Sequence, residues 1–171
     1  DHTGTIAIGH SALTALTSGE QNTVIGYQAA DSLLTGAENT IMGYGAFAAA
    51  DGSESYNTVY GRAAMSAVNH DSTASNIAIG AGAFTGSAHA YIGNIVIGRN
   101  ALDNTTAAHT GTIAIGHEAL TACTTGSGNT AIGYQSQDAN TTSGKNTSVG
   151  YSSLGAVSTS GASTGNTAVG Y

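Results

Sequence analysis

Apolar residues recur along this chain as short triplets, each closed by a glycine, with polar residues filling the stretches between. The triplets end at Gly9, Gly26, Gly43, Gly61, Gly80, Gly98, Gly116, Gly133, Gly150 and Gly170, at spacings of 17 to 20 residues. A short β-type run stopped by glycine at a near-constant period predicts one strand per copy. A two-helix repeat needs roughly 33–47 residues, and no sustained 3.6-residue apolar pattern is present. The expected fold is all-β: a repetitive parallel β-roll (β-solenoid) of about ten coils of 17–20 residues, forming a single array over 1–171. Coils stacked at roughly 4.8 Å make a rod about 45 Å long.

Each slot of the repeat has a physical role. The residue before the glycine is Ile8, Ile25, Met42, Tyr60, Ile79, Ile97, Ile115, Ile132, Val149 or Val169. All are large and apolar, so this slot is expected to form the core. The slot three before the glycine is Thr in six copies and Ile in four, and strand alternation puts it on the same face. Two before the glycine sits Ala7, Val24, Ile41, Val59, Ala78, Val96, Ala114, Ala131, Ser148 or Ala168, on the opposite face and never charged. A strand apolar on both faces is covered on both. One cover is the coil interior; the other is expected to be a further copy of the chain, and a closed trimer is a natural solution.

The remaining slots are smaller signals. The glycines suit a turn open only to that residue. Three residues later comes Ala in seven of nine copies, with Ser136 and Ser153 in the others. A mostly large residue follows (Leu13, Phe47, Met65, Phe84, Leu102, Leu120, Leu154), which predicts a second short strand packing back on the first. Length changes fall in the variable loop beyond, as in other solenoids. Asn22, Asn39, Asn57, Asn76, Asn94, Asn129, Asn146 and Asn166 open eight of the ten strands and are expected to form a hydrogen-bonded ladder along the stack.

Composition narrows the function classes. Only 8% of residues are charged and the net charge is −7, which excludes the basic stripe of a nucleic-acid binder. No apolar run approaches the roughly 18–20 residues of a membrane-spanning helix, and no signal peptide is visible. There are 25 Gly and no Pro or Trp, a composition of short strands and tight turns. The chain reads as a fragment, or an ordered part, of something longer. Cys123 is the single cysteine, so no internal disulfide is possible. Residues 2–29 and 109–136 match at 21 of 28 positions, and Cys123 falls where Leu16 sits, so it is expected to be a small buried residue.

Candidate chemistry is sparse. The slot after the glycine holds His10, Tyr27, Tyr44, Arg62, Ala81, Arg99, His117, Tyr134, Tyr151 and Tyr171. Stacked coils would align these as a stripe, and Tyr27, Tyr44, Arg62, Arg99, Tyr134 and Tyr151 offer flat faces and donors suited to glycans or a receptor. The competing reading is a packing ladder with cation–π contacts. The six histidines (His2, His10, His70, His89, His109, His117) show no spacing that demands a metal. Glu38, Asp51 and Glu54 lie in neighbouring loops and are the nearest approach to a carboxylate pair for glycan cleavage. No nucleophile constellation and no phosphate loop is present, so neither enzymatic activity nor a cofactor is expected. Asn104-Thr105-Thr106 and Asn140-Thr141-Thr142 match the N-glycosylation pattern. Ice binding would want Thr on a flat exposed face, whereas the repeated Thr is expected to share the buried side.

The segment Asn76-Ile77-Ala78-Ile79-Gly80-Ala81-Gly82-Ala83 resembles the head repeat of YadA-like trimeric autotransporter adhesins. Gly128-Asn129-Thr130-Ala131-Ile132-Gly133-Tyr134, and Gly165 to Tyr171, look like repeats of bacteriophage tail fibres. The resemblance covers essentially the whole chain. It implies a left-handed parallel β-roll, a homotrimer, and an extracellular role in attachment at a virion or bacterial surface. Longer outer loops, and the aromatic or basic residue after the glycine, favour the tail-fibre branch. The alternatives are an adhesin head that binds glycans or matrix, and a self-polymerising filament subunit.

Overall fold

The computed structural model describes residues 2–156 and 164–171. Ten three-residue strands form one parallel sheet: β1 (Ile6–Ile8), β2 (Thr23–Ile25), β3 (Thr40–Met42), β4 (Thr58–Tyr60), β5 (Ile77–Ile79), β7 (Ile95–Ile97), β9 (Ile113–Ile115), β10 (Thr130–Ile132), β11 (Thr147–Val149) and β12 (Thr167–Val169). They stack in chain order and in slot-for-slot register, for example Val24 opposite Ile41 and Ala131 opposite Ser148. The chain is a β-solenoid of about nine turns, with no helix among the described residues. Two further short strands, β6 (Tyr91–Ile92) and β8 (His109–Thr110), pair on another side of the coil where the loops lengthen.

The two faces of the main sheet are assigned the other way round from the expectation. The middle residue points inward: Val24, Ile41, Ala78, Val96, Ala114 and Ala131 are 0% exposed. The expected core slot points outward. Ile8 is 57% exposed, Met42 37%, Val149 38% and Val169 79%, while Ile25, Ile79, Ile97, Ile115 and Ile132 are half-exposed. Interior room explains the inversion. Directly across the coil lie Phe47, Met65, Phe84, Leu102 and Leu120, all buried, so the strand can contribute only a small or β-branched side chain.

The expected second strand is also absent. Its place is taken by a turn in which alternate residues adopt the left-handed conformation. The second and fourth residues after each corner glycine do so, as at Gln28 (φ 52°) and Ala30 (φ 45°), or Glu118 (φ 58°) and Leu120 (φ 55°). A third such position precedes the Asn slot, as at Gln21, Tyr56 and Lys145. Left-handed backbone costs a non-glycine residue about 1–2 kcal/mol. Here the stack offsets that cost, because turn amides bond from coil to coil as strand amides do. Gln28 N–H donates to His10 C=O (2.8 Å), and Phe47 N–H to Ala64 C=O (2.9 Å).

The corner glycine is required on two counts. Gly26 has φ 145°, and a Cβ there would lie 2.7 Å from the carbonyl carbon of Gly43 in the next coil. The same stacking recurs at the other corners followed by a further coil. Elsewhere inside the coil, a Cβ on Gly19 or Gly36 would meet the next coil's backbone and then Leu16 or Leu33, and one on Gly86 would meet Val68 Cγ2 at 2.5 Å and the buried Tyr91 ring at 3.1 Å.

Candidate functional site

Two features run the length of the outer surface on either side of the corner glycine. The first is an apolar ribbon built from the outward strand residues, Ile or Thr in one column and Ile, Met, Tyr or Val in the other. No charged residue interrupts it over ten rows. Val149, Ile8 and Tyr60 exceed one third exposure. The band is uncharged throughout and apolar but for the six threonines of one column, the kind of surface that suits an interaction.

The second is the expected stripe. His10, Tyr27 and Tyr44 stack ring on ring with centroids 5.2 and 5.4 Å apart, and His117, Tyr134, Tyr151 and Tyr171 stack at 5.4, 5.0 and 5.3 Å. Interplanar angles stay between 5° and 13°. Such offset stacking falls in the favourable range for aromatic pairs. It also turns the ring faces onto one another, so solvent meets ring edges and phenol hydroxyls rather than flat faces. The stripe is broken between Tyr44 and His117 by Arg62, Ala81 and Arg99, all exposed. Arg99 Nη1 lies 3.5 Å from His117 Nε2. Among the described residues neither arginine has a carboxylate within ion-pair reach; the pair recorded is His117 with Glu118, at 3.7 Å.

The asparagine slot is interior and structural. Asn22, Asn39, Asn57, Asn76, Asn94, Asn129 and Asn146 are 0–1% exposed. Each Oδ1 accepts the backbone N–H of the next coil's slot, as from Asn39 to Asn22 (3.0 Å) and from Asn94 to Asn76 (3.0 Å). In the first six of these the Nδ2 donates inward to a carbonyl, as from Asn76 to Tyr91 (2.7 Å), whereas Asn146 Nδ2 is buried without a partner. Thr112 alters the ladder: its N–H takes Asn94 Oδ1 (2.9 Å), and its Oγ1 accepts from Gly128 N–H (3.1 Å), one residue before the next Asn slot.

The other candidates separate in space. Glu54 is fully buried and its Oε2 accepts from Gly52 N–H (3.0 Å), whereas Glu38 and Asp51 are exposed, so the three carboxyls do not share one surface. Asn140 is 1% exposed and donates to Gln137 Oε1 and Ser143 C=O, which leaves it no access as a glycan acceptor; Asn104 is exposed. Cys123 is buried, donates to Gly126 C=O (3.4 Å), and burial pushes its thiol up to about 11. His109 is buried between Tyr91 and the Thr124 carbonyl, and desolvation lowers its pKa. Ser87 Oγ lies 3.0 Å from His89 Nδ1 on an exposed loop, but Ser87 also bonds Tyr91 and Thr105, and no group orients the far side of the imidazole among the described residues. A depression of about 220 Å³ lined by His2, Thr5, Ala7, Leu13 and Leu16 is the open end of the coil interior above β1.

Sequence reasoning missed the interior role of Tyr91. Its hydroxyl bonds Thr105 Oγ1 (2.9 Å) and accepts from Ser87 N–H (3.0 Å). The signal was Gly86, where a side chain would collide with Val68 and with the Tyr91 ring. No family model, no curated protein and no solved structure matches this chain.

Proposed function

We propose that this chain is a rigid segment of an extracellular fibre, of the tail-fibre kind, in which three parallel copies pack along their apolar ribbons to space or present an attachment surface. The observation that carries this reading is the ribbon: ten uncharged rows at one pitch on the outside of the coil. A partner that covers such a surface row by row needs the same pitch, and another copy of the chain has it. A small interior of one strand residue and one or two turn residues per coil gains stability from covering this second face. Three copies about an axis close the arrangement without leaving a ribbon open. A left-handed coil sense and a virion-surface location belong to the same proposal, and rest on the resemblance to fibre repeats.

Charging the ribbon tests it. Ile79→Lys with Ile115→Lys should split the assembly into single chains, while circular dichroism keeps the β signal. An assembly indifferent to both lysines contradicts the proposal. A second reading, an adhesin head that binds glycans directly, is supported by the row of phenol edges along the stripe.

A further inference from the structure

We infer that the break in the ring stripe, Arg62–Ala81–Arg99, is a binding site for a linear acidic glycan with carboxylates on alternate sugars. The inference deepens the glycan-binding reading, and it rests on the stripe staying open to solvent in the assembly.

The chain has three Lys and Arg in all, and both arginines stand in this one column. They are exposed, carry no carboxylate partner among the described residues, and belong to a chain of net charge −7. Arginines without an acidic partner, Arg99 touching only the ring nitrogen of His117, make this column of an acidic protein a local positive site in a negative field. The guanidinium fork matches a carboxylate with two parallel hydrogen bonds. Ala81 between them is short, so the two forks flank a notch rather than a continuous wall.

Spacing selects the ligand. Arg62 and Arg99 are two coils apart, about 10 Å along the axis. One coil step is close to the length of one sugar in an extended polysaccharide, so acids on every second unit fall in step with the arginines. On either side the ligand meets polar ring edges at the same step, phenol hydroxyls at Tyr44, Tyr27, Tyr134, Tyr151 and Tyr171 and imidazole nitrogens at His10 and His117. Because the ring faces are turned onto one another, these edges hydrogen-bond hydroxyl groups rather than stack on sugar rings. A nucleic acid is disfavoured, since its dense phosphates would meet two cations and a net negative chain.

The test is isothermal titration of the full chain with hyaluronan oligosaccharides, which alternate a uronate with a neutral sugar, and with the same oligomers after carboxyl reduction. Binding of the acidic oligomers is expected, with at least a tenfold loss on reduction. Arg62→Gln with Arg99→Gln should lose at least tenfold, whereas Lys145→Gln, in a loop away from the stripe, should bind as the parent does. Equal affinity for the reduced oligomers, no binding at all, or an unchanged double variant would overturn the inference. Equally tight binding of a poly-glutamate peptide would overturn the glycan assignment. Sedimentation of the same samples separates the two claims. Trimers without acid-dependent binding sink this inference alone, and single chains that bind the acidic oligomers sink the fibre reading alone.

Discussion

Asn39 Oδ1 accepts two hydrogen bonds from Asn57 one coil on, from its backbone N–H at 3.0 Å and its side-chain amide at 3.2 Å. The same exchange repeats from Asn57 to Asn76 and from Asn76 to Asn94. Replacing Asn57 with Ala therefore strands the backbone N–H of Asn76 in a buried place, while the Asn76 side-chain amide keeps Tyr91 C=O and the Thr73 carbonyl keeps Ser55 N–H. A buried unsatisfied donor costs about 1–3 kcal/mol, so a loss of about 1–3 kcal/mol is expected. The denaturant midpoint of Asn57→Ala should fall accordingly. Asn57→Thr should fall less, since Thr112 already serves in this slot.

The two kinds of glycine separate cleanly. Gly26→Ala meets both a forbidden φ and the Gly43 backbone, and should prevent the coils on either side from stacking. Gly45 has φ 59° with nothing near its would-be Cβ, and the same slot holds Gln28 and Ser11 in other coils. Gly45→Ala should cost only about 1 kcal/mol, the ordinary penalty of left-handed backbone. Thermal melts of the two variants provide the comparison.

How much of this was legible in the residues follows from particular slots. Period and strand position were plain, because glycine stops every triplet. Which face lay inside was not, since Ala7 and Ile8 are both apolar and alternation alone cannot rank two apolar faces. Size suggested the larger residue, but a narrow coil opposed by Phe47 or Leu102 admits the smaller. One polar row held the answer. Ser148 stands in the middle slot, Gln137 in the large turn slot and Ser136 in the Ala slot. Gln137 Nε2 donates to Ser148 Oγ (2.9 Å), and the two serine hydroxyls bond each other. Three slots turning polar together are slots that share one interior. The left-handed turn was hard to read, because Leu, Phe, Glu and Gln occupy it in most coils and glycine marks its first position only at Gly45 and Gly82.

Cys123 gives a prediction in pH. Its folded pKa is raised, so its contribution to stability is full below about 9 and is lost as pH rises towards about 11. At pH 8 the native thiol should react with Ellman's reagent far more slowly than the unfolded one. Native labelling at the unfolded rate would place Cys123 on the surface.

His109 acts in the opposite range. Its folded pKa lies below the ordinary 6.5, so the unfolded chain takes up its proton first as pH falls. Its neutral form supports the fold above pH 6.5, and that support is lost as pH drops below this value. The melting temperature should therefore decline from pH 7.5 to pH 5, and His109→Phe should flatten the decline. An unchanged slope would assign the acid sensitivity to other groups.

The central claim is that the outward ribbon of Ile25, Ile79, Ile115 and their equivalents is covered by two further copies of the chain. The most direct measurement is the mass in solution by sedimentation equilibrium at micromolar concentration. The account predicts three times the 16.7 kDa of one chain. A single species at 16.7 kDa would contradict it.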